Sequence, residues 1–217
     1  MRVLYDDNHV IAVYKPAGVL VQGDASGERT LMDDVKDWIA EKYKKPGNVF
    51  LGLVHRIDRR VAGVVVFART SKAAARLSEQ IRLRTVEKIY RACVEGPIAS
   101  DGAELAHWLA EDDGYVSVHE RAGPGRKEAR LTYKVLGRQS DRTWLEITLD
   151  TGRKHQIRAQ LAKSGHPILG DDRYGARMKW PPPGIALFCV RMCFRHPTQD
   201  REINVELPAE LMPDTGA

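Results

Sequence analysis

Hydrophobic and polar residues alternate near the start of the chain, which predicts an extended beginning. Residues 3–14 form one expected β-strand, closed by a turn at Pro16 and Gly18. Thr30 is then expected to cap a helix, with Asp33 as the acidic partner of a capping box, and "KKPGN" is expected to end it. The apolar positions of this helix recur at helical spacing, at Leu31, Val35, Trp38, Ile39 and Tyr43.

An unbroken apolar segment at residues 61–68 indicates a strand that is buried on both faces. Thr70 begins a second amphipathic helix, with apolar positions at Ala74, Leu77 and Ile81. A third helix is expected at about residues 154–163, where a Ser-Gly pair and a proline end it. The other segments after the second helix read as strands, at residues 88–95, 130–136, 143–149, 185–194 and 202–206.

Three helices among at least seven strands, several of them consecutive, favour an α+β fold. The expected architecture is a mixed, mostly antiparallel sheet flanked by helices and loops, rather than a doubly wound sheet. Residues 97–127, rich in glycine and charge, are expected to be a mobile excursion from this body. Because no second domain stands out, residues 1–217 are expected to form a single domain.

The composition indicates a globular protein, since 43% of the 217 residues are hydrophobic and 29% are charged. No apolar run approaches the roughly 20 residues of a membrane span, and the N-terminus lacks the layout of a signal peptide. Three cysteines without paired spacing favour reduced thiols over a disulfide or zinc framework. These features predict a cytoplasmic protein, and the net charge of +5 favours a polyanionic partner.

The stretch "HRID" places Asp58 among Arg56, Arg59 and Arg60, directly before the buried apolar segment. Nearby positive charge favours the ionised form of a carboxyl group, so Asp58 could act as a nucleophile, a base or a ligand. The alternative is a loop carboxylate that only neutralises its neighbours. A protein kinase, whose catalytic loop carries "HRD", is excluded because the chain has neither a glycine-rich loop before a lysine strand nor D-F-G.

The stretch "DTGRKHQIRAQL" places Arg153, Lys154, His155 and Arg158 in the first turns of the third helix. Positive side chains there oppose the helix dipole, and a fold accepts this most readily where an anion is bound. A solvated basic helix face is the alternative. The histidines of the chain lack metal-ligand spacing, so no metal site is expected. In "EKIYRACVEG", Tyr90 lies on a strand, where a tyrosine is usually part of the core.

Together these stretches resemble the RluA-like family of RNA pseudouridine synthases. The resemblance rests on "HRID" with "GVVVFART", "EKIYRACVEG", and "TGRKHQIRAQL" with "GHPILGDDRYG", in the family's order and spacing. The opening "LYDDNHVIAVYKPAGVLV" also matches, so the similarity runs from about residue 3 to about residue 208. One departure is "RRVAG", where most members have a Thr-Ser or similar pair before the glycine, which concerns loop packing and substrate fit. The chain begins at the catalytic region, so the N-terminal S4 domain of many relatives is expected to be absent.

The resemblance implies that the chain isomerises specific uridines in structured ribosomal or transfer RNA to pseudouridine, with no cofactor or metal. Asp58 would be the catalytic aspartate, which attacks C1′ or the base or abstracts a ribose proton. The uridine would flip out of the RNA, and Arg56 would fill the gap. Tyr90 would stack on the flipped base, and Arg158 would pair with Asp58.

The expected partner is RNA, bound by a set of basic residues that would neutralise phosphates: Arg56, Arg59, Arg60, Arg153 and Lys154. The chain is expected to act as a monomer and to bind no membrane. The first alternative is a non-catalytic RNA-binding protein that uses the same basic cleft. The second is a metal-dependent nuclease or phosphodiesterase, which the missing ligand cluster disfavours.

Overall fold

The computed structural model describes residues 1–215. They form two compact units, the first comprising Met1–Val86 and Cys189–Met212, the second Glu87–Phe188 with the residues after Met212. In chain order the elements are β1 (Arg2–Asp6), β2 (Val10–Lys15), α1 (Leu31–Tyr43), β3 (Gly52–Leu53), β4 (Ala62–Ala68), α2 (Ser71–Arg82), β5 (Glu87–Glu95), β6 (Gly102–Asp112), β7 (Tyr115–His119), β8 (Lys127–Arg138), β9 (Arg142–Leu149), α3 (Gln156–Lys163), β10 (Leu187–Arg195) and β11 (Glu202–Glu206).

Each unit is built on strands that pair mostly antiparallel, which confirms the predicted α+β class. In the first unit the strand order is β1-β2-β4-β10, with β3 on β4 and β11 on β10. In the second unit the order is β5-β9-β8-β6-β7, and all four of these pairings are antiparallel. The expectation of one domain over residues 1–217 stays a prediction. None of the helices among the described residues is both long and apolar enough to cross a membrane.

The predicted single strand at residues 3–14 is wrong, because the chain turns back on itself at Asp7. The Asp7 Oδ1 atom accepts hydrogen bonds from the backbone N–H of His9 at 2.7 Å and of Val10 at 2.8 Å. A carboxylate that bonds the backbone two or three residues ahead stabilises a turn. The result is the antiparallel pair β1 and β2, in which Val3 lies opposite Val13.

The two helices of the first unit begin where the sequence predicts. Thr30 and Asp33 form the expected capping box: the Thr30 hydroxyl accepts from the Asp33 N–H, and the Asp33 carboxylate accepts from the Thr30 N–H. Thr70 caps α2 through the N–H of Ala73, which donates to its hydroxyl. Capping depends on residues three apart in the chain, so it can be read locally.

Strand β4 is buried along its whole length, as predicted. It contains Gly63, whose φ of 136° favours glycine. A Cβ atom at this position would lie 2.3 Å from the carbonyl oxygen of Cys189 in β10. Only glycine therefore lets β4 and β10 approach this closely.

The predicted mobile excursion at residues 97–127 is wrong, because this segment contributes β6 and β7 to the second unit. Strand β6 pairs with β8 along Gly102–Leu109, and β7 pairs with β6. Glycines and charged residues are frequent in this segment, but alternate apolar residues face a core. That core consists of Leu109, Val116, Ala129, Ala159 and Tyr174.

Helix α3 begins at Gln156, two residues later than predicted. His155 precedes it in the left-handed region, with φ of 50°. The Gln156 side chain holds the preceding turn, since its Oε1 accepts from the Arg153 N–H at 3.1 Å and from the Thr151 hydroxyl at 2.7 Å. Arg153 and Lys154 therefore lie in this turn instead of the first helical turn.

Candidate functional site

Asp58 lies, partly buried, in the loop between β3 and β4 of the first unit. Its backbone carbonyl accepts a hydrogen bond from the Val61 N–H at 3.1 Å, which closes a turn. Before the turn, His55 Nε2 accepts a hydrogen bond from the Val66 N–H of β4 at 2.9 Å. This nitrogen must therefore be the unprotonated one of the imidazole. Hydrogen bonds thus hold the loop on both sides of Asp58, one to Val66 of β4 and one to Val61, directly before β4.

A lysine with no exposed surface ties a second turn to the Asp58 loop. The Lys15 Nζ donates to the carbonyl oxygens of Pro16 at 3.0 Å, Val19 at 2.8 Å and Arg59 at 3.0 Å. An ammonium group has three protons, and these bonds use all of them. The Gly18 N–H also donates to the Arg59 carbonyl, at 2.7 Å. The residue after Asp58 is therefore held by two donors from "KPAG".

The pKa of Lys15 also depends on Asp58, which lies in the same unit. Burial lowers the pKa of Lys15 to about 7, while the Asp58 carboxylate raises this pKa and the Arg59 charge lowers it. The charge of Lys15 therefore changes within the neutral pH range. Sequence reasoning missed Lys15. The available signal was a lysine that continues the buried alternation of β2 directly into a Pro-Ala-Gly turn.

The three arginines predicted to contact RNA in this loop differ in their surroundings. Arg56 is exposed and Arg60 is partly buried. Arg59 forms a bidentate ion pair with Glu28, at 2.9 and 2.7 Å, and its Nε donates to the Gly18 carbonyl at 2.9 Å. Such an exposed pair contributes at most about 1 kcal/mol, so a phosphate could replace Glu28 at little cost. The RNA contacts of all three stay a prediction.

Tyr90 lies on β5 of the second unit and is only 8% exposed. Its partner across the sheet is Ile147 of β9. This burial agrees with the usual place of a strand tyrosine, and the stacking of Tyr90 on a flipped base stays a prediction.

Arg158 forms a buried, bidentate ion pair with Asp171 in the second unit. Its Nε donates to Oδ2 at 2.7 Å and its Nη2 to Oδ1 at 2.8 Å, and the side chains are 4% and 0% exposed. The Arg158 Cζ lies 5.0 Å from the centroid of the Tyr174 ring. The fork and the ring together fix the plane of the guanidinium. The predicted pairing of Arg158 with Asp58 stays a prediction. Sequence reasoning missed Asp171, although the acidic stretch "GDDRYG" after α3 was an available signal.

Tyr174 connects Arg158 to the turn before α3. Its hydroxyl oxygen accepts the Val116 N–H at 3.2 Å and lies 2.9 Å from His155 Nδ1. The hydroxyl has one proton and a second acceptor site, so the direction of the hydrogen bond with His155 follows the tautomer of the imidazole. Burial raises the pKa of Tyr174, so the phenol is protonated at neutral pH. Tyr115 stacks on its ring, with centroids 5.2 Å apart.

The two basic residues before α3 make contacts within the second unit. Arg153 Nε donates to the Glu128 carbonyl at 3.0 Å, and the exposed Lys154 forms an ion pair with Glu111. Their predicted RNA contacts stay a prediction. No group of three or more His, Cys, Asp or Glu among residues 1–215 has an arrangement that could hold a metal ion.

The predicted site residues thus fall in both units. Asp58 and the three arginines of its loop lie in the first unit, and Tyr90, Arg153, Lys154 and Arg158 lie in the second.

Comparison with known proteins identifies similar chains. The sequence model of the RNA pseudouridylate synthase family matches residues 9–163. The ribosomal large subunit pseudouridine synthase C of Vibrio parahaemolyticus is 31% identical over 96% of this chain and 65% of the relative. The ribosomal large subunit pseudouridine synthase D of Nitrosomonas europaea is 34% identical over 88% of this chain and 54% of the relative. The chain therefore spans little more than half to about two thirds of these curated relatives.

Solved structures with the same fold include a human protein. Human RNA pseudouridylate synthase domain containing 4 superposes with a TM-score of 0.80, over 95% of this chain and 88% of the human chain. The two sequences are 23% identical, so the likeness concerns the fold.

Proposed function

The chain belongs to the RNA pseudouridylate synthase family, and from this membership we propose that it isomerises uridine in RNA to pseudouridine. The observation that carries the proposal is the family match over residues 9–163, a range that includes Asp58, Tyr90 and Arg158. Large-subunit ribosomal RNA is the first substrate to test, because the similar proteins C and D carry that substrate in their names.

In the proposed reaction the bond between N1 and C1′ breaks and the uracil turns. A bond then forms between C5 and C1′, C5 loses its proton, and N1 gains one. Atoms and electrons balance, so the reaction requires neither an oxidant nor a further substrate. Because C1′ and C5 are hidden in stacked RNA, the uridine has to leave the stack, and the exposed Arg56 is the side chain proposed to fill the gap.

Asp58 is the proposed catalytic carboxylate. Such a group has to be ionised and held in one place. The hydrogen bond from Val61, the His55 contact with β4 and the Lys15 contact with Arg59 support this role, because they limit the movement of the loop. The Lys15 ammonium, when charged, favours the ionised form of Asp58.

Arg158 and Tyr90 are the proposed contributions of the second unit. The fork with Asp171 supports a fixed Arg158, which would act on Asp58 or on the RNA with little loss of side-chain entropy. The 8% exposure of Tyr90 leaves a small accessible area, which fits contact with a single base. In this proposal the Tyr90 ring provides an apolar surface for the flipped uracil.

The experiment that tests the proposal is tritium release from RNA labelled at C5 of uridine. Unmodified transcripts of large-subunit ribosomal RNA and of transfer RNA serve as substrates. Wild-type protein should release tritium, and Asp58→Asn should release none while it keeps its melting temperature and its RNA affinity. Asp200→Asn is the matched control, because Asp200 is 93% exposed and forms an ion pair with Arg195 at the surface of the first unit.

The alternatives predict different results in the same experiment. A non-catalytic RNA-binding protein would bind both RNAs and release no tritium with the wild-type chain. A metal-dependent nuclease would shorten the RNA and lose its activity in EDTA. Tritium release by Asp58→Asn near the wild-type rate would show that Asp58 is not the catalytic carboxylate.

A further inference from the structure

We propose that Tyr115 is a stacking platform for an unpaired nucleobase of the RNA, with Arg173 as the cation for a phosphate of the same strand. This inference rests on the proposed function, and it names a nucleotide subsite beside the reactive uridine. The occupant is a single unpaired nucleotide, and the recognition is by ring stacking and one charge contact.

Tyr115 is an exposed aromatic side chain on a rigid support. It is 47% exposed at the start of β7, and its ring lies at 26° to the ring of Tyr174. Tyr174 is buried, and the Val116 N–H and His155 fix its hydroxyl. A ring held this way loses little entropy when a base stacks on it, and base–aromatic stacking contributes about 1–3 kcal/mol per base.

Two positive side chains lie close to the backbone next to Tyr115. A Cβ atom built on Gly114, the residue before Tyr115, would be 3.4 Å from Arg173 Nη2 and 4.0 Å from Lys154 Nζ. Lys154 is paired with Glu111, whereas none of the described residues forms an ion pair with Arg173. Arg173 is therefore the cation that is available for a phosphate.

The patch is not a general site for polyanions. Glu111, Asp112 and Asp113 precede Gly114, so three carboxylates outnumber the two cations Arg173 and Lys154. Long-range attraction of an RNA backbone is therefore weak here, and the ring has to supply the selectivity. This combination is typical of contacts with unpaired bases, which stack on aromatic rings in loops and bulges.

The position of the ring indicates which nucleotide it would hold. Tyr115 and Arg158 both contact the Tyr174 ring, with 5.2 Å between the two ring centroids and 5.0 Å from the Tyr174 centroid to Arg158 Cζ. A base on Tyr115 would therefore be a near neighbour of the nucleotide at Arg158. A loop that presents both nucleotides unpaired is the class of RNA that fits.

The test measures the affinity of a fluorescently labelled stem–loop RNA whose loop carries unpaired uridines and adenines. Tyr115→Ala should weaken binding about 5- to 150-fold, whereas Tyr115→Phe and Tyr115→Trp should bind like the wild type. Phe50→Ala is the matched control, because Phe50 is 52% exposed and lies in the first unit. Arg173→Gln should reduce the slope of log K against log salt by about 0.7.

A cross-linking experiment locates the contact directly. The same RNA carries 5-iodouridine in its loop, and irradiation should give an adduct that mass spectrometry places on Tyr115. Wild-type affinity in Tyr115→Ala, or an equal loss in Phe50→Ala, would overturn the proposal. A changed oligomeric mass of Tyr115→Ala with unchanged RNA affinity would overturn it too, because the ring would then serve a protein contact.

The two proposals can fail separately. If the wild-type chain releases tritium and Tyr115→Ala has the same kcat/KM and affinity, only the platform is wrong. If Tyr115 passes the binding and cross-linking tests and no RNA yields tritium, the platform stands and the proposed isomerase function is wrong. Thermal melting of each variant shows that the comparison is made between folded proteins.

Discussion

Replacing Gly63 by alanine is expected to destabilise the protein strongly, because the added methyl group has no space. Its carbon would lie 2.3 Å from the carbonyl oxygen and 2.6 Å from the backbone nitrogen of Cys189. Cβ atoms in proteins essentially never lie within 3.0 Å of such an atom. The new carbon and the Cys189 oxygen would therefore have to move apart by 0.7 Å, the difference between 3.0 Å and 2.3 Å. Both strands are buried here, and the atoms of a close-packed interior can move only slightly.

The expected loss combines two costs. Overpacking a tightly packed interior costs about 1–3 kcal/mol, and a positive φ costs a residue with a Cβ about 1–2 kcal/mol. Together these remove roughly 2–5 kcal/mol of a total stability of about 5–15 kcal/mol. For a chain of this size each kcal/mol lowers the melting temperature by about 2–4 °C. We expect Gly63→Ala to melt roughly 4–20 °C below the wild type.

Alanine substitutions at two other glycines of the first unit distinguish the cost of overpacking from the cost of the positive φ. Gly27 has a φ of 69°, and no heavy atom lies within 4 Å of the place that its Cβ would take, so Gly27→Ala reports the conformational cost alone. Gly23 has neither a positive φ nor a close neighbour, so Gly23→Ala should change little. The assay is urea and thermal unfolding followed by circular dichroism. If Gly63→Ala melted together with Gly27→Ala, the close approach of β4 to β10 would be refuted.

Two further substitutions test buried charges. In Lys15 the folded pKa of about 7 lies below the reference value of 10.5, so the unfolded chain binds more protons between these pH values. Wild-type stability relative to Lys15→Met should therefore rise by up to about 1.4 kcal/mol per pH unit in this range, and a pH-independent difference in urea unfolding would contradict this. Asp171→Asn should cost about 3–5 kcal/mol, because Arg158 loses its bidentate partner; a loss as small as that of the exposed control Asp200→Asn would argue against a buried pair.

Features that depend on neighbouring residues could be predicted from the sequence alone. The helix caps at Thr30 and Thr70 follow from hydrogen bonds across three residues, and the buried character of β4 follows from its unbroken apolar run. The order of the motifs around Asp58, Tyr90 and Arg158 likewise indicated the family, since it needs no knowledge of contacts. The caps and the apolar run are complete within a short window of the chain, and the motif order requires only the sequence itself.

Composition was misleading where a periodic pattern was weak. Residues 97–127 carry many glycines and charges, yet β6 and β7 bury Leu109 and Val116 against α3 and the Tyr174 ring. The burial of such a strand depends on what packs on it, and those residues come much later in the sequence. A local turn was also overlooked at Asp7, whose carboxylate divides one alternating segment into two strands.

The distant partners of the buried charged groups followed from the tertiary structure. Lys15 reaches the carbonyl of Arg59, 44 positions away, and Arg158 reaches Asp171, 13 positions away. Residue types fix which charges exist, but a buried charge is stabilised by whichever group the fold brings within about 3 Å. That distance depends on the packing of strands and helices far apart in the chain, so the contacts of Lys15 with Arg59 and of Arg158 with Asp171 could not be assigned from the sequence alone.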